Sequence, residues 1–429
     1  MSRYETYKPS GIDWIGEVPN NWKYKRVKDF FSILGGNGFP DEEQGNETGD
    51  IPFLKVSDIN SDDYRVYSSS NYVSNETVLK KGWNVIPANS IVMGKIGEAL
   101  KKNHRKINTV DCLIDNNMMA LQPLPKVNIK FSYYLLSIVD MDWFTNPGTI
   151  PAVSTVALKS SKVTLPSPSE QLAIANYLDE QTQKIDRLIA NKKAQAEKLK
   201  ELRQIEINNA VTKGLNPNAE MKDSGIEWLG KIPKHWEVKR LKNLANQISE
   251  KSSEILDDDF LVALENIESH TGKFIETASE YENNGIKFKK DNLLYNKLRP
   301  YLNKVFLADK DGICVGDIIV IECTPKLYPA FLQFRMLSDS FCSIIMSSVY
   351  GAKMPRTSWQ FISSLKIAYP SYEEQVQIVE HLNKRTIAIE GLIQNINKQI
   401  EKLQELRKIK IYEAVTGKIK VNAYAETTA

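Results

Sequence analysis

One segment near the start of the chain returns midway along it. Ser10-Gly-Ile-Asp-Trp-Ile-Gly-Glu-Val-Pro-Asn-Asn-Trp-Lys-Tyr-Lys-Arg26 is matched by Ser224-Gly-Ile-Glu-Trp-Leu-Gly-Lys-Ile-Pro-Lys-His-Trp-Glu-Val-Lys-Arg240. Trp14 pairs with Trp228, Pro19 with Pro233 and Trp22 with Trp236. Downstream the match continues at an offset of roughly 200 residues, as a fold built twice requires. Lys95-Ile-Gly-Glu-Ala-Leu-Lys-Lys102 aligns with Lys297-Leu-Arg-Pro-Tyr-Leu-Asn-Lys304, and Cys112 and Asp115 align with Cys314 and Asp317. Pro151, Pro166, Glu170 and Gln171 align with Pro355, Pro370, Glu374 and Gln375. Lys198-Leu-Lys-Glu-Leu-Arg203 and Ala210-Val-Thr212 return as Lys402-Leu-Gln-Glu-Leu-Arg407 and Ala414-Val-Thr416. Residues 31–90 and 245–292 do not align. A shared frame with different inserts implies two modules that do one job on different targets.

At 429 residues the chain exceeds one ordinary core, so two domains are expected. A hydrophobic fraction of 42% and a charged fraction of 25% are those of a soluble globular protein. No apolar run approaches the roughly 18–20 residues that span a bilayer. Met1-Ser2-Arg3-Tyr4-Glu5 lacks a signal peptide's apolar core, and a cytoplasmic protein is expected. Cys112, Cys314, Cys323 and Cys342 form no CxxC pair, and read as buried thiols. A net charge of +3 does not mark a nucleic-acid binder, so the placement of charges must decide that question.

Each half divides in two. The first part reads as a mixed α/β domain with short strands. Ser90-Ile-Val-Met93, Met118-Met-Ala-Leu-Gln-Pro123 and Val163-Thr-Leu-Pro166 are the strand candidates of the first copy. Asn292-Leu-Leu-Tyr295, Asp317-Ile-Ile-Val-Ile-Glu322 and Leu365-Lys-Ile-Ala-Tyr369 are those of the second. Short helices are expected near 129–140 and 329–346. Trp14, Trp22, Trp228 and Trp236 belong to the repeated frame and are assigned to packing.

The second part is one long helix. From Ser169 to Lys213 there is neither Gly nor Pro, Ser169 can cap the start, and Gly214 and Pro217 close the end. Leu172, Leu178, Ile185, Leu188, Leu199 and Leu202 form an apolar stripe, with Lys192 where a leucine would fit. The second copy starts after Pro370 and Ser371, and carries Ile378, Leu382, Ile389, Leu392, Ile396, Leu403 and Leu406, with Gly417 beyond its end. Such stripes want a partner helix, and Ile185, Leu188, Leu199, Leu202, Ile389, Leu392, Ile396, Leu403 and Leu406 are the expected pairing residues. Two separate helices, each on its own domain, are the alternative. The chain order domain, helix, domain, helix makes paired helices antiparallel and the halves pseudo-two-fold related. The expected domains are 1–165, 166–214 (spacer helix), 215–370 and 371–429 (second helix and tail). About 40 helical residues make a rod of about 60 Å, against the 34–36 Å, roughly, of one DNA turn.

Catalytic motifs are missing from the sequence. His104, His235, His270 and His381 sit in unrelated contexts, and there is no GxxxxGK[ST] phosphate loop. Asn146-Pro147-Gly148 only partly matches an amino-methyltransferase signature and reads as a turn. Pro40-Asp41-Glu42-Glu43 has no following ExK and reads as a solvated acidic loop. The basic clusters say more. Lys95, Lys101, Lys102, Arg105 and Lys106 surround Asn103 and His104; Lys297, Arg299, Asn303 and Lys304, with Tyr301, crowd the matching segment. Lys159 and Lys162, then Lys353 and Arg356, come later. Cations anchor phosphates, and Asn or Tyr adds further contacts. The expected DNA-binding residues are Lys95, Lys101, Lys102, Arg105, Lys159, Lys297, Arg299, Tyr301, Asn303, Lys304, Lys353 and Arg356.

The tryptophan motif, the Lys-Leu-Arg-Pro-Tyr-Leu-Asn-Lys segment, and Pro-Ser-x-x-Glu-Gln before each long helix together resemble the specificity subunit of type I restriction–modification systems. The resemblance covers nearly the whole chain. It implies two target recognition domains, each reading half of an asymmetric interrupted site on double-stranded DNA. It implies two long antiparallel helices, a coiled-coil-like spacer, that set the gap and dock two modification subunits. Those subunits would carry S-adenosylmethionine and methylate adenine; a restriction subunit would use ATP and Mg. This chain itself would bind no cofactor or metal and catalyse nothing. The first copy departs from the motif at Gly97 and Glu98, so Lys95 and Lys297 are the firmer DNA contacts. A stand-alone bipartite DNA-binding regulator and a coiled scaffold that binds no DNA are the rival readings.

Overall fold

The computed structural model describes residues 2–60, 63–146, 148, 150–252, 259–277, 285–349 and 354–421. The chain divides into unit 1 (Met1–Asn191 with Gln399–Ala429) and unit 2 (Lys192–Lys398). Both boundaries fall inside long helices, Pro168–Lys213 and Tyr372–Val415, so each unit holds a segment of both.

Unit 1 is built on a five-stranded sheet. Its order is Phe31–Gly35, Met118–Pro123, Ile91–Gly94, Arg105–Asn108 and Arg65–Val66, antiparallel except for the last pair. Both faces are covered. Ile91, Met93, Met119 and Leu121 pack toward helix Ile129–Ser137 and the start of the first long helix. Val92, Met118 and Ala120 face the other way, onto Leu54 and Ile59 of the insert and onto Ile114. This explains why these strands read as unbroken apolar runs: alternate side chains point into two different cores. Each large aliphatic side chain buried this way is worth about 1.5–3 kcal/mol.

Unit 2 repeats the plan. Ala245–Ile248, Ile318–Cys323, Leu293–Asn296 and Val305–Leu307 form an antiparallel sheet. Leu293, Tyr295, Ile319 and Ile321 face helix Pro329–Leu337; Leu294, Ile318 and Val320 face Val262 and Phe288 of the insert. The six expected strands are all present, shifted by a residue at some ends. The single helix expected near 329–346 is two, Pro329–Leu337 and Asp339–Met346, because Ser338 breaks the first and caps the second. Trp22 and Trp236 are buried, as the packing assignment requires. The first long helix begins one residue before Ser169; Ser167 takes the capping position, as Ser371 does in the second. Pro168 at the helix start explains the shift, since its ring suits the first helical position.

Within each unit the helix segments pair. In unit 2, Arg203 lies 3.6 Å from Glu390 and Arg385 lies 2.8 Å from Glu206, so one helix ascends as the other descends. In unit 1, Arg407 meets Asp186 at 2.9 Å. The seam is Leu178, Thr182, Ile185, Ile189, Lys192, Ala196, Leu199, Arg203 and Ile207 on the first helix. On the second it is Leu382, Thr386, Ile389, Ile393, Ile396, Ile400, Leu403, Arg407 and Ile411. As far as Arg203 and Arg407 the steps alternate between four and three, the heptad spacing of helices wound side by side. This corrects four expected pairing residues: Leu188, Leu202, Leu392 and Leu406 are exposed. They stand one residue before Ile189 and Arg203 or Ile393 and Arg407, and a helix turns about 100° per residue. The seam instead admits Thr182, whose hydroxyl donates to the Leu178 carbonyl at 2.7 Å, and Arg203, which is held by Glu390.

Candidate nucleic-acid interface

The basic segments lie at one end of each sheet. In unit 2, Ile248, Asn296 and Ile318 end or begin their strands at that end, so the loops around 249–250, 297–299 and 315–317 converge there. In unit 1, Gly35, Gly94 and Met118 do the same for loops 36–38, 95–97 and 115–117. A fourth loop closes the cluster by identical backbone bonds in both units. The Gly97 N–H donates to the Pro151 carbonyl at 2.8 Å, and that of Arg299 to Pro355 at 2.7 Å. The Val153 N–H donates to the Lys95 carbonyl at 2.9 Å, and that of Thr357 to Lys297 at 3.0 Å. Four loops fixed by a rigid sheet form a surface whose side chains can vary while its backbone does not.

The electrostatics differ between the copies. In unit 2, Asp317 sits between Lys297 (3.3 Å) and Arg356 (2.8 Å), and Arg299 is exposed beside them. Tyr301 is 45% exposed on the same turn. In unit 1, Lys95 is half-buried, while Lys101 is exposed and paired with Glu98 at 3.1 Å. Lys102 and Lys159 are exposed; Lys159 lies in the last turn of the short helix Thr155–Ser160.

Three expected contacts are corrected. Arg105 is buried, and its guanidinium donates to the Val139 carbonyl and to Asn103. Burial lowers its pKa to about 10. Asn303 is buried too, with its amide donating to the Leu337 carbonyl at 3.0 Å. Lys304 is half-buried and donates to the Leu264 carbonyl at 2.6 Å, and burial lowers its pKa. These three polar groups serve neighbouring loops, where unmet donors would be costly. Lys353 lies outside the described residues. The sequence reading missed residues 36–38 and 115–117; a Gly-Gly-Asn-Gly run and an Asp-Asn-Asn run marked both as turns.

No group of three or more His, Cys, Asp or Glu residues that could hold a metal ion occurs among the described residues. Their histidines are scattered: His104 contacts Asn60, His235 contacts Glu374 and His381 lies near Glu206. No helix among them is long and apolar enough to cross a membrane.

Comparison with known proteins gives a consistent picture. A family model for the type I restriction modification DNA specificity domain matches residues 19–198 and again 233–402. The type I restriction enzyme EcoDI specificity subunit of Escherichia coli is 24% identical, over 96% of this chain and 91% of that protein. The MjaVIII specificity subunit of Methanocaldococcus jannaschii is also 24% identical, over 94% of each chain. A solved chain from work on assembly and conformational transition of a type I R-M system shares the fold at a TM-score of 0.68 and 12% identity. It covers 94% of this chain and 99% of its own. The HsdS subunit of Thermoanaerobacter tengcongensis aligns at 0.52 and 13%, over 94% of this chain and 98% of its own.

Proposed function

The chain belongs to the type I restriction–modification DNA specificity family, and from that premise we propose that each unit reads one half of an asymmetric, interrupted DNA site. The observation that carries this reading is the pair of matching sheet ends: one backbone presented twice, with different side chains and different inserts. Identical readers would need identical surfaces, and these differ. The two long helices would then fix the gap between half-sites.

The chain would act without catalysis, as the recognition component of a larger complex. Two modification subunits would bring S-adenosylmethionine and methylate adenine, and a restriction subunit would bring ATP and Mg. A duplicated apolar surface supports the pair of modification subunits. Unit 1 exposes Leu188, Leu406 and Ile409; unit 2 exposes Leu392, Leu202 and Ile205. These are the same positions of the repeat, so each unit exposes equivalent apolar side chains on its helix segments, of the kind that protein contacts cover.

Co-expression with an adenine methyltransferase of such a system tests the reading. A stable complex and DNA methylated at a bipartite site are expected; no complex and no methylation would overturn it. Inserting one heptad into both helices should lengthen the spacer and leave each half-site unchanged.

A further inference from the structure

The two sheet ends share a backbone but differ in charge. The shared backbone bonds make Gly97 the counterpart of Arg299, and the bridges Ile96 to Ala152 and Leu298 to Arg356 make Ala152 the counterpart of Arg356. Lys95 and Asp115 correspond to Lys297 and Asp317. One edge therefore carries three cations and one carboxylate, which pairs two of them, and the other carries one cation and one carboxylate.

The backbone at Arg299 sharpens the point. Gly97 has φ +63° and Arg299 has φ +50°, both in the left-handed region. Glycine enters that region freely; a side chain with a Cβ does so at a cost. Unit 1 shows that glycine satisfies the fold at this position, so arginine is not there for the backbone. Among the described residues its exposed guanidinium makes no ion pair. An unfavourable conformation kept for an unpaired, exposed cation points to a ligand for that cation.

We propose that the two units hold DNA unequally: the Lys297, Arg299 and Arg356 edge of unit 2 is a phosphate anchor, whereas the Gly97 and Ala152 edge of unit 1 admits the duplex closely without those charges. This rests on the reading of the sheet ends as the DNA interface. Phosphate contacts carry no base information but fix position. Unit 2 would thus set the register, and unit 1 would contribute mainly shape and base contacts.

The test needs no knowledge of the recognition site, because phosphate contacts persist on non-cognate DNA. Binding of the full chain to a mixed-sequence duplex is measured against salt. Each lost phosphate contact reduces the slope of log K against log salt by roughly 0.9. Arg299→Gly should reduce the slope by about 1, and Arg299→Gly with Arg356→Ala by up to about 2. The urea midpoint of Arg299→Gly should be unchanged or higher, which separates lost binding from lost folding. Arg299→Lys should retain the slope, and Gly97→Arg with Ala152→Arg should steepen it. An unchanged slope in the Arg299 and Arg356 variants, with a flatter one in Lys95→Ala, would overturn the anchor alone. An unchanged slope in Lys95→Ala with Lys297→Ala would overturn the interface itself.

Discussion

The indole N–H of Trp22 donates to Glu170 at 3.1 Å, joining the tryptophan motif to the start of the first long helix. Trp236 and Glu374 repeat the bond at 3.1 Å in unit 2. Both indoles lie in cores, so each carboxylate meets a donor that water cannot reach. Tyr4 adds a second donor to Glu170, and burial together with that carboxylate raises its pKa. Removing the acceptor strands a buried N–H at a cost of about 1–3 kcal/mol. Glu170→Ala and Glu374→Ala should each lose that much stability in urea unfolding, while the Gln variants, which keep an acceptor oxygen, should lose less. Equal losses for Ala and Gln would show that the bond contributes nothing.

The helix seam separates residues only three apart. Ile185 is buried, whereas Leu188 is 49% exposed. Ile185→Ala should destabilise by about 2–4 kcal/mol through lost contacts and an unfilled cavity. Leu188→Ser should change stability by less than about 0.5 kcal/mol, yet weaken capture of a co-expressed modification subunit. A large stability loss at Leu188 would place it back in the seam.

Arg335 occupies a core position. Helix Ile129–Ser137 is the unit 1 counterpart of Pro329–Leu337, and there buried Leu135 stands in the matching place. Arg335 stacks over Trp228 at 4.9 Å and donates to Ser340 at 3.1 Å, but its Nε and Nη2 have no partner. Burial lowers its pKa to about 9. Desolvating a charge costs several kcal/mol, more than the roughly 2 kcal/mol that a cation–π stack returns. Arg335→Met should therefore raise the unfolding midpoint, by about 1–4 kcal/mol in free energy. A lower midpoint would mean that the Trp228 stack outweighs the desolvation.

Burial pushes the thiols of Cys112, Cys314 and Cys323 up to about 12. Only the thiolate alkylates readily. At pH 8 the native chain should leave the fully buried Cys112 and Cys314 unmodified by iodoacetamide, and the half-buried Cys323 less protected, over a period in which urea-unfolded chain reacts fully. Mass spectrometry of the labelled chain would show it, and rapid native labelling of Cys112 or Cys314 would contradict the burial.

Repetition was legible because the frame residues do the same physical work twice. Trp22 and Trp236 fill equivalent cores, and Glu170 and Glu374 satisfy their indoles, so neither half could drift at those positions. The strands were legible for a related reason, since side chains buried on both faces leave no polar interruption. The helix seam was read less well. Apolar identity drew Leu188 and Leu392 into it, whereas position around the helix puts Thr182, Arg203 and their counterparts there. The basic clusters were legible as segments, but not which of their side chains stay free: Arg105, Asn303 and Lys304 are polar groups that brace loops.

By itself the sequence determined the duplicated frame, the mixed α/β plan, the long helices and the family to which the chain belongs. Each of these follows from local spacing and from recurrence along the chain. Only the tertiary structure decided which charges are available to a ligand. Lys297 and Arg356, far apart in sequence, share Asp317 because four loops meet at one sheet end. Arg105 and Arg299 are alike in sequence, but one is buried among carbonyls and the other stands exposed. A side chain's solvation depends on what the rest of the chain packs around it, and local spacing does not encode that.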